Sequence, residues 1–305
     1  MAAGLNVSEK RCGMEISFIT PFYHGNRYID KLIKMVNANA VQFHKEYPEG
    51  QVELLIVNDS PDSKVTDISK YVNLEIKVKI INNKENSGIH YSRINGLNHA
   101  CGKYVIFLDQ DDEISKYFLI SQYNRIGTAD IIVCKGSHKY PDRKVGYYKN
   151  MYQLESVKDL KKFLTIRQLI ASPGQCLIKK TAIPKEWYLY IMKKNGADDF
   201  LLYVLMHAKG CVFKTNDRIL YHHVITGQNA SSNLKKMDES VGEMLEILEE
   251  VTYFDKKDLK KFKRSNKYKQ SFRYAGKIMK VIYSLRYFDL AVFNIVFELN
   301  SILRK

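Results

Sequence analysis

The sequence predicts an α/β molecule: an open, Rossmann-like sheet of mostly parallel strands flanked by helices, with a C-terminal helical appendage. Three features predict it. Strand-type and helix-type periodicities alternate four times between residues 15 and 112, the order that gives parallel strands joined by right-handed crossovers. Residues 105–112, VIFLDQDD, are an apolar run that empties into three carboxylates; a strand buried on both faces reads this way, and its carboxyl end borders the ligand crevice of an open α/β sheet. Beyond residue 255, apolar residues at helical spacing run beside many Lys and Arg, which predicts helices there.

The elements follow in order. EISFIT at 15–20 is a strand stopped by Pro21, and Ile29, Leu32, Ile33, Val36, Ala40 and Phe43 then recur at helical spacing. VELLIV at 52–57 is a second strand ending at Asn58 and Asp59. A short helix is expected near 62–71, a third strand at 75–81 (EIKVKII) and a helix over 88–101. Thr20, Asp59 and Asp109 thus fall at strand carboxyl ends and face one crevice. DIIVC at 130–134 is a fifth strand, and the polar, Tyr- and Lys-rich stretch to about 157 reads as a mobile loop over the site. QCLIK at 175–179 is a strand, a helix begins at Asp198 and Asp199, and a short strand lies near Val212. Residues 221–233 are polar and without period, and Val241, Met244, Leu245 and Leu248 mark an amphipathic helix over 232–251.

At 305 residues, with 45% hydrophobic and 27% charged residues, the chain suits one large α/β domain with an appendage. The expected division is an N-terminal extension at 1–13, a catalytic domain at 14–232 and a helical, basic region at 233–305. Five scattered cysteines without a CxxC pair point to a reducing compartment. The N-terminus lacks the apolar core of a signal peptide and no apolar run is long enough to span a bilayer. A cytoplasmic location is expected, with contact to the inner face of the cell membrane left open. Of the net charge of +15, +10 belongs to residues 255–305, where 14 Lys and Arg face 4 Asp and Glu.

Asp109, Asp111 and Asp112 crowd one strand end and repel one another unless a cation sits among them. Mg²⁺ or Mn²⁺ takes carboxylate oxygen and usually shares it with phosphates, so the run reads as a metal–diphosphate site. A polar turn after a strand is the plain alternative.

The series ITPFYHG, IVNDS, SGIHYSRINGLNHACGKYVIFLDQDD and GADDFLL resembles family 2 glycosyltransferases of the GT-A fold, in order and spacing, over roughly 15–235. Arg93, Asn95, Gly96, Ala100, Gly102, Tyr104, Asp109 and Asp111 carry the specific part of the match. The resemblance implies transfer of a sugar from a nucleotide donor, such as a UDP-sugar, to an acceptor hydroxyl with inversion at the anomeric carbon. It implies that Thr20, Pro21, Asp59, Arg93, Asp109 and Gln110 line the donor nucleotide, with Asp59 taking a hydrogen bond from the base. It also implies a divalent cation, Mn²⁺ or Mg²⁺, on Asp111, with Asp109 and His223 beside it. Asn58 stands where the family carries a first acid, and Asp198 where it carries Glu.

In that family the second acid of the pair matched by Asp198 and Asp199 is the usual general base. A hydroxyl is a poor nucleophile at neutral pH, so a carboxylate must take its proton. Asp199 is the expected base, while Asp198 caps the helix or contacts the acceptor. His222 is an alternative to His223 near the metal. Residues 226–232 read as a loop that orders over the donor. Gln175 reads as an acceptor-side residue or a plain edge-strand residue, and Trp187 with Tyr188 as a sugar-stacking surface or core.

The implied acceptor is a glycan or lipid-linked oligosaccharide of a bacterial-type surface polymer, a capsule or O-antigen. Residues 255–305 read as a membrane-contacting amphipathic tail, or as a helical hairpin packed on the domain or a second subunit. A haloacid-dehalogenase-like phosphatase is disfavoured because Glu113 replaces the required Thr, Ser or Val and the DQDD strand comes fourth. A nucleotidyltransferase lacks support because TPFYHGN is not a Gly-rich basic loop. The charge alone suggests a nucleic-acid binder, yet it lies beside apolar stripes and no such signature is present, so no nucleic-acid partner is expected. Neither GxxxxGK[ST] nor GxGxxG occurs.

Overall fold

The computed structural model describes residues 14–227 and 233–304. The expected extension at 1–13 and residues 228–232 of the expected donor loop lie outside them. The described strands are β1 (Met14–Phe22), β2 (Gln51–Asn58), β3 (Lys77–Asn82), β4 (Tyr104–Phe107), β5 (Glu113–Ile114), β6 (Ile131–Lys139), β7 (Lys144–Gly146), β8 (Cys176–Lys179) and β9 (Phe213–Val224). The helices are α1 (Ile29–His44), α2 (Gly88–His99), α3 (Phe118–Ile126), α4 (Met151–Glu155), α5 (Leu160–Thr165), α6 (Lys185–Leu189) and α7 (Asp198–Ala208), followed by α8 (Leu234–Glu250), α9 (Lys256–Tyr274), α10 (Lys277–Arg286) and α11 (Phe288–Leu303).

The strands form one sheet in the order β3-β2-β1-β4-β8-β6-β9-β5, with β7 on β6. β1 to β4 pair in parallel, as the alternating pattern predicts. β8 joins β4 to β6 by antiparallel pairing, and β6 and β9 run parallel. β2 is buried from Val52 onward because both faces are covered. Leu54 and Ile56 enter the layer under α1 and α3, and Leu55 and Val57 the layer under α2 and α7. α2 lies so close to the sheet that a Cβ on Gly96 would meet Ile19 Cγ2 at 2.4 Å. That approach sets the depth at which α2 carries Arg93.

Four expectations are corrected. Pro21 does not stop β1: it lies on the same side as Ile19, whose carbonyl takes the last bond from Leu108 on the β4 side, so its missing N–H is not needed there. Residues 62–71 are irregular with a turn at each end, not a helix; Asp67 accepts from Ser69 N and Oγ, a local bonding pattern that competes with helix, while Val65, Ile68 and Tyr71 still pack inward. The expected loop after Cys134 is instead the rest of β6, its hairpin partner β7, and α4. The short strand near 212 is the twelve-residue β9, which includes His222 and His223; register shifts against β6 at Cys134 and Lys135 break its alternation.

The tail is divided. Phe262 of α9 packs its ring 5.4 Å from that of Phe200, and Ser265 Oγ donates to the Thr165 carbonyl at 2.8 Å. α11 is held by Asn150 Nδ2 donating to the Ser301 carbonyl at 2.7 Å and by Lys149 against Glu298. α10 buries no residue. Among the described residues no helix is long and apolar enough to cross a membrane.

Candidate active site

A cleft of about 570 Å³ opens where β1, β2 and β4 end, with the first turn of α7 on its wall; this is an ordinary size for a small-molecule site. Besides Asp59 after β2, its acids come from two places far apart in sequence, the turn after β4 and the start of α7, and Arg93 joins these two. Arg93 is 3% exposed, with Nη2 donating to Asp109 Oδ1 at 2.7 Å and Nη1 to Asp198 Oδ2 at 2.6 Å. Burial opposes its charge, but Asp198 and Asp109 more than compensate and hold its pKa well above the ordinary arginine value. Trp187 Nε1 donates to the Asp198 carbonyl at 2.8 Å, fixing the start of α7 against the core.

Asp198 and Asp199 are adjacent but differently used. Asp198 sends its carboxylate to Arg93 and does not cap α7. Asp199 Oδ1 accepts from Phe200 N at 2.8 Å, and Oδ2 accepts from Gln168 Nε2 at 2.8 Å. Burial and the neighbouring Asp198 charge push the Asp199 carboxyl up to about 8, against the pull of Arg93. A buried acid near neutrality can hold or release a proton, the property a general base needs.

At the other wall, Asp112 is fully buried and accepts from the Tyr221 hydroxyl and from Val224 N at 3.0 Å. His223 Nδ1 lies 3.0 Å from Asp112 Oδ1. Burial works against the imidazolium, but Asp112 outweighs it and raises the His223 pKa. Asp111 takes no side-chain hydrogen bond among the described residues; burial, then Asp112 and Asp109, push it up to about 6. Burial likewise raises Asp109 against the pull of Arg93. Among the described residues no three His, Cys, Asp or Glu side chains gather as a metal cluster. Of the expected set, Asp109 pairs with Arg93 and His223 lies beside Asp112, while Asp111 borders the cleft without a side-chain partner among the described residues. That suits a hard cation completed by phosphate oxygens and water rather than an all-protein cage.

The model of the family described as Glycosyl transferase family 2 matches residues 17–186, more than half of the chain. The chain belongs to glycosyl transferase family 2. Among its curated relatives, the putative teichuronic acid biosynthesis glycosyltransferase TuaG of Bacillus subtilis is 32% identical over 102 residues, 33% of this chain and 37% of TuaG. The poly(ribitol-phosphate) beta-N-acetylglucosaminyltransferase TarS of Staphylococcus aureus is 33% identical over 105 residues, 34% of this chain and 17% of TarS. The matched stretch thus spans well under half of either relative. In structure, TarS 1–349 in complex with UDP-GlcNAc superposes with a TM-score of 0.60 at 17% identity, over 86% of this chain and 74% of that one. The mannosyltransferase PcManGT of Pyrobaculum calidifontis, in complex with GDP-Man and Mn²⁺, gives 0.52 at 11% identity over 95% and 88%. The fold is that of the GT-A glycosyltransferases.

The sequence-derived residues of this glycosyl transferase family 2 chain are placed unequally. Pro21, Asp59, Arg93, Asp109, Gln110, Asp111, Asp198, Asp199 and His223 all border the cleft. Thr20 does not: it is fully buried on the β1 face that also carries Phe18. Gln110 is committed to backbone, accepting from Tyr23 N at 3.0 Å and donating to the Tyr23 carbonyl at 3.1 Å. Asp59 caps α2, with Oδ1 accepting from Ser87 N and Asn83 Nδ2 and Oδ2 from Gly88 N; among the described residues one lone-pair site on Oδ2 has no donor. Asn58 makes an Asx turn at this strand end, its Oδ1 accepting from Ser60 N.

His222 bonds Ser137 Oγ at 2.7 Å and is not on the cleft wall. Gln175 is interior, donating to the Cys134 carbonyl at 2.8 Å, because β8 lies inside the sheet and not at its edge. Trp187 is core. Gln168, Tyr221 and the buried role of Asp112 were not legible in sequence; the third acid after β4 signalled only that Asp112 was there.

Proposed function

We propose that the chain transfers a sugar from a UDP-sugar to an acceptor hydroxyl, with inversion, in the synthesis of a bacterial surface polymer. The observation that carries this reading is Arg93, which draws the acids after β4 and the acids of α7 into one cleft. The open position on Asp59 Oδ2 suits the N–H of a uracil base, and Pro21 and Tyr23 border the same end. The TarS complexes with UDP and UDP-GlcNAc support a nucleotide-sugar donor on this fold.

Asp111 would hold a divalent cation, with Asp109 beside it. When bound, such an ion offsets the negative charge that grows on the departing nucleotide diphosphate. Arg93 keeps Asp109 and Asp198 in register across the cleft. Asp199, oriented by Gln168 and Phe200 N, takes the proton from the acceptor hydroxyl as the anomeric carbon is attacked. A base distinct from the acids at the diphosphate end supports a single displacement, and hence inversion. Surface-polymer synthesis rests on the relatives, TuaG and TarS among them.

The outer face of α10 and α11 supports a peripheral membrane role at the cytoplasmic leaflet. Ile278, Leu285 and Leu303 are 78%, 69% and 80% exposed, and Lys277, Lys280 and Arg286 lie among them. An apolar stripe with a basic flank suits an anionic lipid surface.

A thermal-shift panel of nucleotide diphosphates and nucleotide sugars, with and without Mn²⁺, tests the donor reading. UDP and a UDP-sugar are expected to raise the melting temperature, and Asp111→Ala to lose the Mn²⁺-dependent part. A panel in which no nucleotide shifts the wild-type chain contradicts it.

A further inference from the structure

α7, which carries Asp199, starts without a cap of its own. Its first turn follows Ala197, which has no side-chain oxygen to take the free N–H groups there. The position from which a side chain could reach back to the Ala197 N–H holds Phe200. Another helix supplies the bond: Ala197 N donates to Ser240 Oγ of α8 at 3.0 Å. The Ser240 hydroxyl in turn donates to the Lys194 carbonyl at 2.8 Å. Ser240 is fully buried, and its one hydroxyl ties together the two ends of residues 194–197.

Met237, Ser240 and Glu243 stand three residues apart on one face of α8, and all three meet the segment that leads into α7. Glu243 accepts through Oε1 from Lys193 N and through Oε2 from Lys194 N, each at 2.8 Å. Met237 Sδ packs on Gly196, 2.5 Å from where a Cβ would stand, and the Gly196 φ of +131° favours glycine. Met237 and Gly196 line the cleft together with Asp198 and Asp199. From the same segment, Asn195 Oδ1 accepts from Ile89 N of α2 at 3.1 Å. Residues 193–197 belong to no helix or strand, so these bonds are what fixes their path, and that path ends two residues before Asp199. A base displaced by about 1 Å loses roughly a hundredfold in rate.

We propose that Ser240 and Glu243 are positioning residues for Asp199, so that α8 belongs to the catalytic unit and not to the helical appendage. The proposal rests on the glycosyl-transfer reading and adds the residues that hold its base in place. The family match ends at residue 186, before both α7 and α8.

The test is initial-rate kinetics on the full chain, read as UDP released from the UDP-sugar that stabilises the wild type most, with water in the acceptor's place. Ser240→Ala is expected to lower kcat about 10–100-fold. The KM for the donor and the thermal shift with UDP are expected to stay at wild-type values, because Asp59 is held by Asn83, Ser87 and Gly88 and not by residues 193–197. Glu243→Ala removes a half-buried side chain and is expected to lower kcat in the same way, which keeps the test open should Ser240→Ala fail to fold. Wild-type kcat in either folded variant, or a loss confined to KM or to melting temperature, overturns the proposal. A wild-type chain that releases UDP from no UDP-sugar instead contradicts the glycosyl-transfer reading itself.

Discussion

Arg93 is the residue on which the charge balance of the site turns. A guanidinium 3% exposed between two carboxylates is stable only while both partners remain, because each ion has given up its hydration. Arg93→Ala should leave Asp109 and Asp198 uncompensated and cost about 3–5 kcal/mol in urea unfolding. Arg93→Lys, with one ammonium in place of a fork, should lose part of that stability and part of the transfer rate. The acids of the site were legible because carboxylates at the end of a buried strand and at the start of an apolar helix break the ordinary rule of burial. Their division of labour was not legible. Asp111 and Asp112 are neighbours in the chain, yet Asp112 is sealed under Tyr221 and Val224 while Asp111 borders the cleft. Gln168 reaches Asp199 across 31 positions, and no local pattern marks such a partner.

At the scale of elements, α2 is the part whose placement the site depends on. Gly96 allows it to lie on Ile19 and Val57, which a Cβ would meet at 2.4 and 3.0 Å. Gly96→Ala should therefore lift α2, cost about 1–3 kcal/mol of stability, and lower kcat/KM through the displaced Arg93; thermal melting and initial rates check both. A variant with wild-type melting and wild-type rate would show that α2 accommodates the methyl without moving Arg93. The parallel half of the sheet could be read from sequence because β2 and β4 are covered on both faces and so are continuously apolar. The second half could not. β6 turns polar at Gly136, Ser137 and His138 where it nears the cleft, and β9 is bulged against it. Both departures hide a strand from a reading that looks for alternation.

At the scale of the molecule, the basic tail has two tasks that composition alone merges. α9 spends its inner stripe on the catalytic body, while α10 and the outer side of α11 leave Ile278, Leu285 and Leu303 in solvent. The proposed membrane role predicts that the full chain floats with anionic vesicles at low salt and is released at high salt. Leu285→Glu should abolish flotation without changing the thermal shift with UDP. A wild-type chain that stays in solution with anionic vesicles would assign that face to something other than lipid.

The central claim is that Asp199 deprotonates the acceptor while separate acids hold the donor. Burial raises its carboxyl to about 8, and the carboxylate is the active form of a base. Transfer by the wild type should therefore rise with pH and level off above about 8. The direct measurement is Asp199→Asn with saturating UDP-sugar, read by thermal shift and by transfer. The donor-dependent shift should persist while transfer falls by about 10²–10⁴-fold. Transfer at the wild-type rate in that variant would contradict the account.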